Sequence, residues 1–309
     1  MAHKQIIEAV KEDKAPTVAN SNGYIAENTP GPETATSFSP PVVKLDAKLP
    51  DKVNICIYRF PFGDMEHATC SNWLMNALFT LHTHKRVNSV STEVINDTPV
   101  DMSRNRAIKH AIENQMDFAV FVDSDMFPDL HFSQKERDPR DEQFFPAALN
   151  FALANDPCCI GAPYCSQPPE EQVLVMRWAQ EQTHDPDGKL KLDKWTREDT
   201  IGRYGFEQVA ALGTGLLLIP IAPLKIIPGP WFSYQWADKE RTRKVSTEDV
   251  VFTRDLGLAG IPQYVFWSAW AGHWKLKLVG RPVGLPPERI PQRFAQAAIR
   301  GHLQKQQTE

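Results

Sequence analysis

Phe118-Ala119-Val120-Phe121-Val122-Asp123-Ser124-Asp125-Met126 is the stretch on which the reading of this chain turns. Its first five residues form a short, continuous apolar run, rich in β-branched and aromatic side chains, which predicts a buried strand. Asp123 and Asp125 then follow at the carboxyl end, where open α/β sheets place their ligands. Carboxylates at i and i+2 leave a strand end on the same side, so the pair suits a hard divalent cation that in turn binds phosphate. The same pattern also describes a charged turn with both groups solvated, and spacing alone does not separate the two.

Working back from this strand, Val53 to Tyr58 and Val87 to Ile95 read as strands. Glu66 to His82 has helical spacing, with Trp73, Leu74, Ala77, Leu78 and Leu81 on one face. A second helix runs to Asn114 behind Asp101 or Ser103 as its cap, with Ala107, Ile108 and Ala111 as its apolar face. Strand, helix, strand, helix, strand is the order of a parallel sheet covered by helices. Working forward, Phe144 to Ala154 reads as a helix and Cys158 to Tyr164 as a strand. Glu171 to Leu192 is a long hairpin or a loop over a site, with a turn at Asp185-Pro186-Asp187-Gly188. Gly205 to Leu212 and Leu216 to Ile219 are strands flanking Gly213-Thr214-Gly215. Pro223 starts a short helix, followed by the aromatic loop Trp231 to Trp236. Thr247 caps a helix over Glu248 to Leu258 that stops at Gly260, and Tyr264 to Phe266 is a further strand.

The whole chain has 309 residues, 42% hydrophobic and 23% charged, which is ordinary for a soluble globular protein. A formal net charge of -4 gives no reason to expect nucleic acid. The five cysteines have no metal-type spacing and read as buried thiols in a reducing, cytoplasmic compartment. No signal peptide is visible at the start. The apolar stretch from Val209 to Ile227 is interrupted by Gly213, Gly215, Pro220 and Pro223, whereas a membrane span needs about 20 uninterrupted apolar residues. Residues 1–50 form a Pro-rich arm that is a candidate surface for homo-oligomer assembly. Residues 51–279 form the main domain, and 280–309 a tail with helical spacing.

Several features therefore follow one another along the chain: Ser103-Arg104-Asn105-Arg106-Ala107, Asp117, Asp123-Ser124-Asp125, Gly213-Thr214-Gly215, Glu248-Asp249 and Gly272-His273. In this order, over roughly residues 53–275, the chain resembles nucleotide-sugar-dependent glycosyltransferases of the GT-A fold, similar to family 2 and related members. The resemblance implies an α/β fold with a GT-A-like (Rossmann-like), mostly parallel central sheet flanked by helices. It implies that Asp123 and Asp125 are the DxD pair holding Mn²⁺ or Mg²⁺ against the donor diphosphate, with His273 completing the coordination. It assigns Arg104, Asp123, Ser124, Asp125, Gly213, Thr214 and Gly215 to binding the nucleotide-sugar donor. Asp249 becomes the general base of an inverting transfer to a carbohydrate, protein or other hydroxyl acceptor, with Glu248 as the fallback. Arg104 is better placed than Arg106 to reach the diphosphate, and Asp117 reads as an orienting group.

Each assignment has a plainer counterpart. Acidic residues stabilise any helix start, Gly-Thr-Gly also suits a tight turn, and most of the tryptophans are core material. Trp231 and Trp236 are the candidates for the acceptor side because they lie in a loop. The Gln/Arg-x-x-Arg-Trp signature of processive synthases is absent. Nucleotidyl transfer uses similar carboxylates and metal, although Pro61-Phe62-Gly63-Asp64 is a poor phosphate loop. A non-catalytic binding or structural protein retaining the fold is the third reading.

Overall fold

The computed structural model describes residues 49–61, 66–96, 99–166, 172–179, 191–274 and, for backbone alone, 278–279. The arm, the tail and the tip of the segment from Glu171 to Leu192 lie outside the described residues. In chain order the elements begin with β1 (Val53–Phe60), α1 (Ala68–His82), β2 (Val87–Val94), α2 (Val100–Glu113), β3 (Phe118–Asp123) and β4 (Met126–Phe127). They continue with α3 (Phe144–Ala154), β5 (Cys159–Gly161), β6 (Val175–Trp178), β7 (Leu192–Lys194), α4 (Arg197–Thr200), β8 (Phe206–Val209), β9 (Ala211–Leu212) and β10 (Leu216–Pro220). A 3₁₀ turn at Pro223–Lys225 follows, then β11 (Gln235–Trp236), β12 (Lys244–Ser246), α5 (Glu248–Leu258), β13 (Gln263–Phe266), β14 (Gly272–Trp274) and β15 (Leu278–Val279).

Seven strands form the central sheet in the order β2-β1-β3-β10-β5-β13-β8. β1 pairs in parallel with both β2 and β3, and β13 pairs in parallel with β5, while β10 and β8 run against their neighbours. Five of the seven strands run the same way and helices flank the sheet, so the α/β class with a mostly parallel central sheet expected from the sequence is observed. Alternation along the strands sorts the side chains between its two faces. Ile55, Ile57, Val120, Val122, Leu216 and Leu218 pack with Trp73, Leu74 and Leu81 of α1 and Leu149 of α3. Cys56, Tyr58, Ala119, Phe121, Leu217 and Ile219 pack with Ala107, Ile108 and Ala111 of α2 and with Phe252 and Leu256 of α5. Both faces of β3 are covered, which explains its unbroken apolar sequence. Full burial of each valine, leucine, isoleucine or phenylalanine among them contributes about 1.5–3 kcal/mol. Among the described residues no helix is long and apolar enough to cross a membrane.

Several expected boundaries move. The second helix begins at Val100 with Pro99 at its cap position, and Asp101 falls in its first turn instead of capping it. Proline presets the backbone angle needed there and has no N–H to leave unpaired. The strand expected over Cys158 to Tyr164 is confined to Cys159–Gly161, and Pro163 cannot extend its ladder. Gly205 to Leu212 is two strands serving two sheets, because β8 pairs with β13 and β9 pairs with β6. In the segment from Glu171 to Leu192, β6 pairs antiparallel with β7, as the ends of a hairpin would. All five cysteines are buried free thiols.

Candidate functional site

The site forms where β3 ends, because the Asp-Ser-Asp turn is tied by backbone hydrogen bonds to four separate segments. Asp123 N–H donates to the Gly215 carbonyl at 3.0 Å, and Ser124 N–H donates to the Phe60 carbonyl at 3.4 Å. Ser124 in turn accepts from His67 N–H at 3.1 Å, and Asp125 accepts from Trp274 N–H at 2.7 Å. Since β14 pairs antiparallel with β4, His273 stands opposite Met126. Its ring therefore lies beside Asp125, with Nε2 3.3 Å from Asp125 Oδ2.

The remaining bond of His273 settles its tautomer. Nδ1 lies 3.0 Å from the Cys165 carbonyl oxygen, which only accepts, so Nδ1 carries a hydrogen. In the neutral ring Nε2 then turns its lone pair towards the Asp125 carboxylate, and two acceptors so placed call for a proton or a cation between them. An oxygen and an imidazole nitrogen suit Mn²⁺ well. Among the described residues, no group of three or more His, Cys, Asp and Glu side chains is arranged to hold an ion. Asp125 and His273 could hold an ion as a pair of donors, the ion taking further ligands from phosphate and water.

Asp123 is engaged elsewhere. Arg104 Nη2 donates to both of its oxygens at 3.0 Å, and Arg104 Nη1 donates to Glu248. Arg104 is thus turned inward onto two carboxylates, not outward into solvent as Arg106 is. Burial works against the charge of Arg104, but Asp123, Asp249 and Glu248 hold it protonated above the ordinary arginine range. Burial also raises the Asp123 and Glu248 carboxyls, and Arg104 opposes that rise in both. One guanidinium thus meets the charges of three carboxylates, those of Asp123, Asp249 and Glu248.

Glu248 and Asp249 open α5 behind Thr247, but their surroundings differ. Glu248 is buried, held by Arg104 and hydrogen-bonded to Tyr234. Asp249 is half-buried, accepts one hydrogen bond from Val250 N–H, and lies close enough to act electrostatically on Arg104 and Tyr164. Of the two, Asp249 is the carboxylate with an oxygen to spare among the described residues.

The glycines of Gly213-Thr214-Gly215 are required by a protein side chain. A Cβ on Gly213 would lie 2.3 Å from Tyr164 Oη, and one on Gly215 would lie 2.8 Å from Tyr164 Cζ. Gly215 N–H donates to Tyr164 Oη at 3.1 Å, and the Tyr164 ring stands edge-on to His273 with centroids 5.3 Å apart. Tyr164 therefore links the glycine segment to the histidine strand. Burial, then the charges of Asp249 and Asp123, push its hydroxyl well above the ordinary tyrosine range. Sequence reading missed Tyr164, since a tyrosine after a short strand carries no distinguishing pattern. Asn105, named in the Ser103 to Ala107 motif without a role of its own, accepts from Trp231 and Phe232 N–H and donates to the Phe232 carbonyl, pinning the aromatic loop to α2.

Asp117 lies at the far end of β3, where its carboxylate accepts from Asn54 N–H at 2.7 Å. Trp267 and Trp270 are buried core, and Trp274 stacks on His67 with centroids 4.1 Å apart. Trp231 and Trp236 are half-buried, and Trp231 Nε1 donates to the Ile227 carbonyl.

No family model matches the sequence, and no curated protein sequence matches it. Solved structures align with most of the chain. A197 from STIV is 15% identical, covering 75% of this chain and 96% of that one, with a TM-score of 0.47. Apo UDP-glucose pyrophosphorylase is 7% identical, covering 74% of each chain, with a TM-score of 0.31. A glycosyltransferase involved in glycosylation of the major capsid of PBCV-1 is 10% identical, covering 69% and 92%, with a TM-score of 0.23. At these scores the likenesses carry no argument about activity.

Proposed function

We propose that the chain is a metal-assisted glycosyltransferase, moving a sugar from a nucleotide diphosphate sugar to an acceptor hydroxyl. The observation that carries this reading is that Asp125 meets His273 at the end of β3, while Asp249 at the start of α5 lies within electrostatic reach of Asp123 in the same turn. Asp125 and His273 would hold Mn²⁺ or Mg²⁺, whose charge offsets that of the departing diphosphate. Asp249 takes the proton of the acceptor hydroxyl as that oxygen attacks the anomeric carbon, an inverting geometry. Glu248, bound by Arg104 and Tyr234, keeps the start of α5 in place and is not the base. Tyr164 fills the space beside both glycines and keeps water from that side of the turn. The half-buried Trp231 and Trp236 offer apolar faces on which an acceptor sugar can pack.

A thermal-shift panel of nucleoside diphosphates with and without Mn²⁺ tests the reading. Ligands that bind the native state raise its apparent stability according to affinity and concentration. The expected result is a shift with one nucleotide that needs Mn²⁺ and is lost in Asp125→Ala. No shift with any nucleotide would remove the reading.

A further inference from the structure

The hairpin of β11 and β12 runs directly into α5, and its two faces differ. Gln235 turns towards α5, where its Oε1 accepts from Arg254 Nη1 at 2.8 Å in a buried contact. Tyr234 and Trp236, two residues apart, share the other face, with ring centroids 6.0 Å apart. Lys244 stands opposite Trp236 in the ladder, and its Nζ lies 5.1 Å from the centre of the Tyr234 ring. The Tyr234 hydroxyl is hydrogen-bonded to Glu248, so this aromatic and cationic face borders the helix start that carries Asp249.

Positive charge is concentrated at the same place. Lys239, Arg241, Arg243 and Lys244 fall within six residues, and all four are exposed. The Asp238 carboxylate is taken up by the turn itself, accepting from Thr242 N–H at 2.6 Å, Thr242 Oγ1 at 2.9 Å and Arg243 N–H at 3.0 Å. Glu240 is the other acid of the hairpin, and among the described residues none of the four cations forms an ion pair. Clustered like charges repel one another, and an arriving anion relieves that repulsion.

We infer that this hairpin face selects the acceptor, and that the acceptor is an acidic saccharide whose ring packs on Trp236 while its anionic group meets Lys244. This rests on the transferase reading above and names the substrate class on the acceptor side. An indole face suits the C–H face of a sugar ring, and an ammonium is a compact charge that takes a carboxylate or a phosphate. Arg104 offsets the Asp123, Glu248 and Asp249 carboxylates from within the fold. Lys244 supplies its positive charge from the solvent side. The other three cations attract anions at longer range, an effect that salt screens within about 10 Å at 0.1 M. In the transfer itself the acceptor oxygen bonds to the anomeric carbon and its proton passes to Asp249. The bond from that carbon to the diphosphate oxygen breaks, its electron pair leaving with the nucleoside diphosphate.

The test compares glucose with glucuronate and glucose 6-phosphate, and galactose with galacturonate and galactose 6-phosphate, as acceptors for the full-length chain. Acceptor-dependent release of nucleoside diphosphate is followed with a panel of UDP- and GDP-sugars. At least one acidic acceptor is expected to exceed its neutral counterpart about tenfold in kcat/KM, the scale of a hydrogen bond to a charged group. The uronate and phosphate arms show which anion is read. Lys244→Gln is expected to lower this ratio about fivefold, the upper range for an exposed charge pair. Raising the salt concentration lowers it in the wild-type chain. General damage to the fold slows both acceptors alike, so the ratio is the diagnostic quantity. Neutral acceptors used as well as acidic ones, or a ratio unchanged in Lys244→Gln, overturn the inference and leave the transferase reading intact. Donor cleavage that no acidic acceptor accelerates also overturns it. No nucleoside diphosphate from any donor overturns the transferase reading and the inference with it.

Discussion

Arg104 Nη2 lies 3.0 Å from both carboxylate oxygens of Asp123, although 19 positions separate the two residues. The contact joins α2 to the end of β3, and through Glu248 it joins both to the start of α5. Three elements that carry the expected site residues are thus fixed to one another by a single buried side chain. Losing one partner of such a network leaves an uncompensated buried charge.

Gly215→Ala is expected to destabilise the protein by about 1–3 kcal/mol, the usual cost of overpacking. Its new methyl would meet the rigid Tyr164 ring at 2.8 Å and Met126 Sδ at 2.9 Å, and only the Met126 side chain can readily move aside. Urea unfolding of Gly215→Ala, Tyr164→Leu and the double variant checks the cause. The two changes should be non-additive by about 0.5 kcal/mol or more. Strict additivity would show that the ring is not the obstacle.

Asp129 predicts a pH dependence of stability. It is buried, with one oxygen accepting from Phe144 N–H at 2.7 Å and the other from Trp73 Nε1 at 2.8 Å. Burial outweighs these bonds and raises its carboxyl from 3.8 to about 6. A raised carboxyl means that the native state binds more protons than the unfolded state between those values. Its effect on stability therefore declines as pH rises from about 4 through about 6, by roughly 3 kcal/mol at most. Urea unfolding at pH 5 and pH 7.5 should show about half of this loss, roughly 1.4 kcal/mol, in the wild-type chain. Asp129→Asn should lack that component of the slope, and identical slopes would contradict the assignment.

Asp249→Asn is expected to bind nucleotide with unchanged affinity by calorimetry while transfer falls by about 10²–10⁴-fold, the usual contribution of a positioned base. Its carboxylate is half-buried at a helix start, so the fold should be retained. Full activity in this variant would show that the proton is taken elsewhere.

The apolar run of β3, the parallel order of the first three strands and the α5 start were legible because local patterns carry them. Val120 and Phe121 alternate between two covered faces, and Thr247 precedes two acids at a helix start. The contacts that organise the site were not legible. Arg104 bonds Glu248 across 144 positions, and Tyr164 meets Gly215 across 51. Neither pairing leaves a periodic or spacing signal. The glycines were assigned to donor binding or to a tight turn, and neither reading anticipates the Tyr164 ring that lies where their Cβ atoms would be. The reading of Arg104 as a phosphate ligand rested on its chemistry, which serves Asp123 and Glu248 equally well.

Phosphorus NMR of the products formed from a panel of nucleotide sugars with Mn²⁺ tests the proposed chemistry most directly. The transferase account predicts a free nucleoside diphosphate from one donor class, with turnover abolished in Asp125→Ala while its melt shifts by less than about 1 kcal/mol equivalent, as for a partly exposed side chain. Pyrophosphate as the product, or nucleoside diphosphate release that persists undiminished in Asp125→Ala with EDTA present, would contradict it.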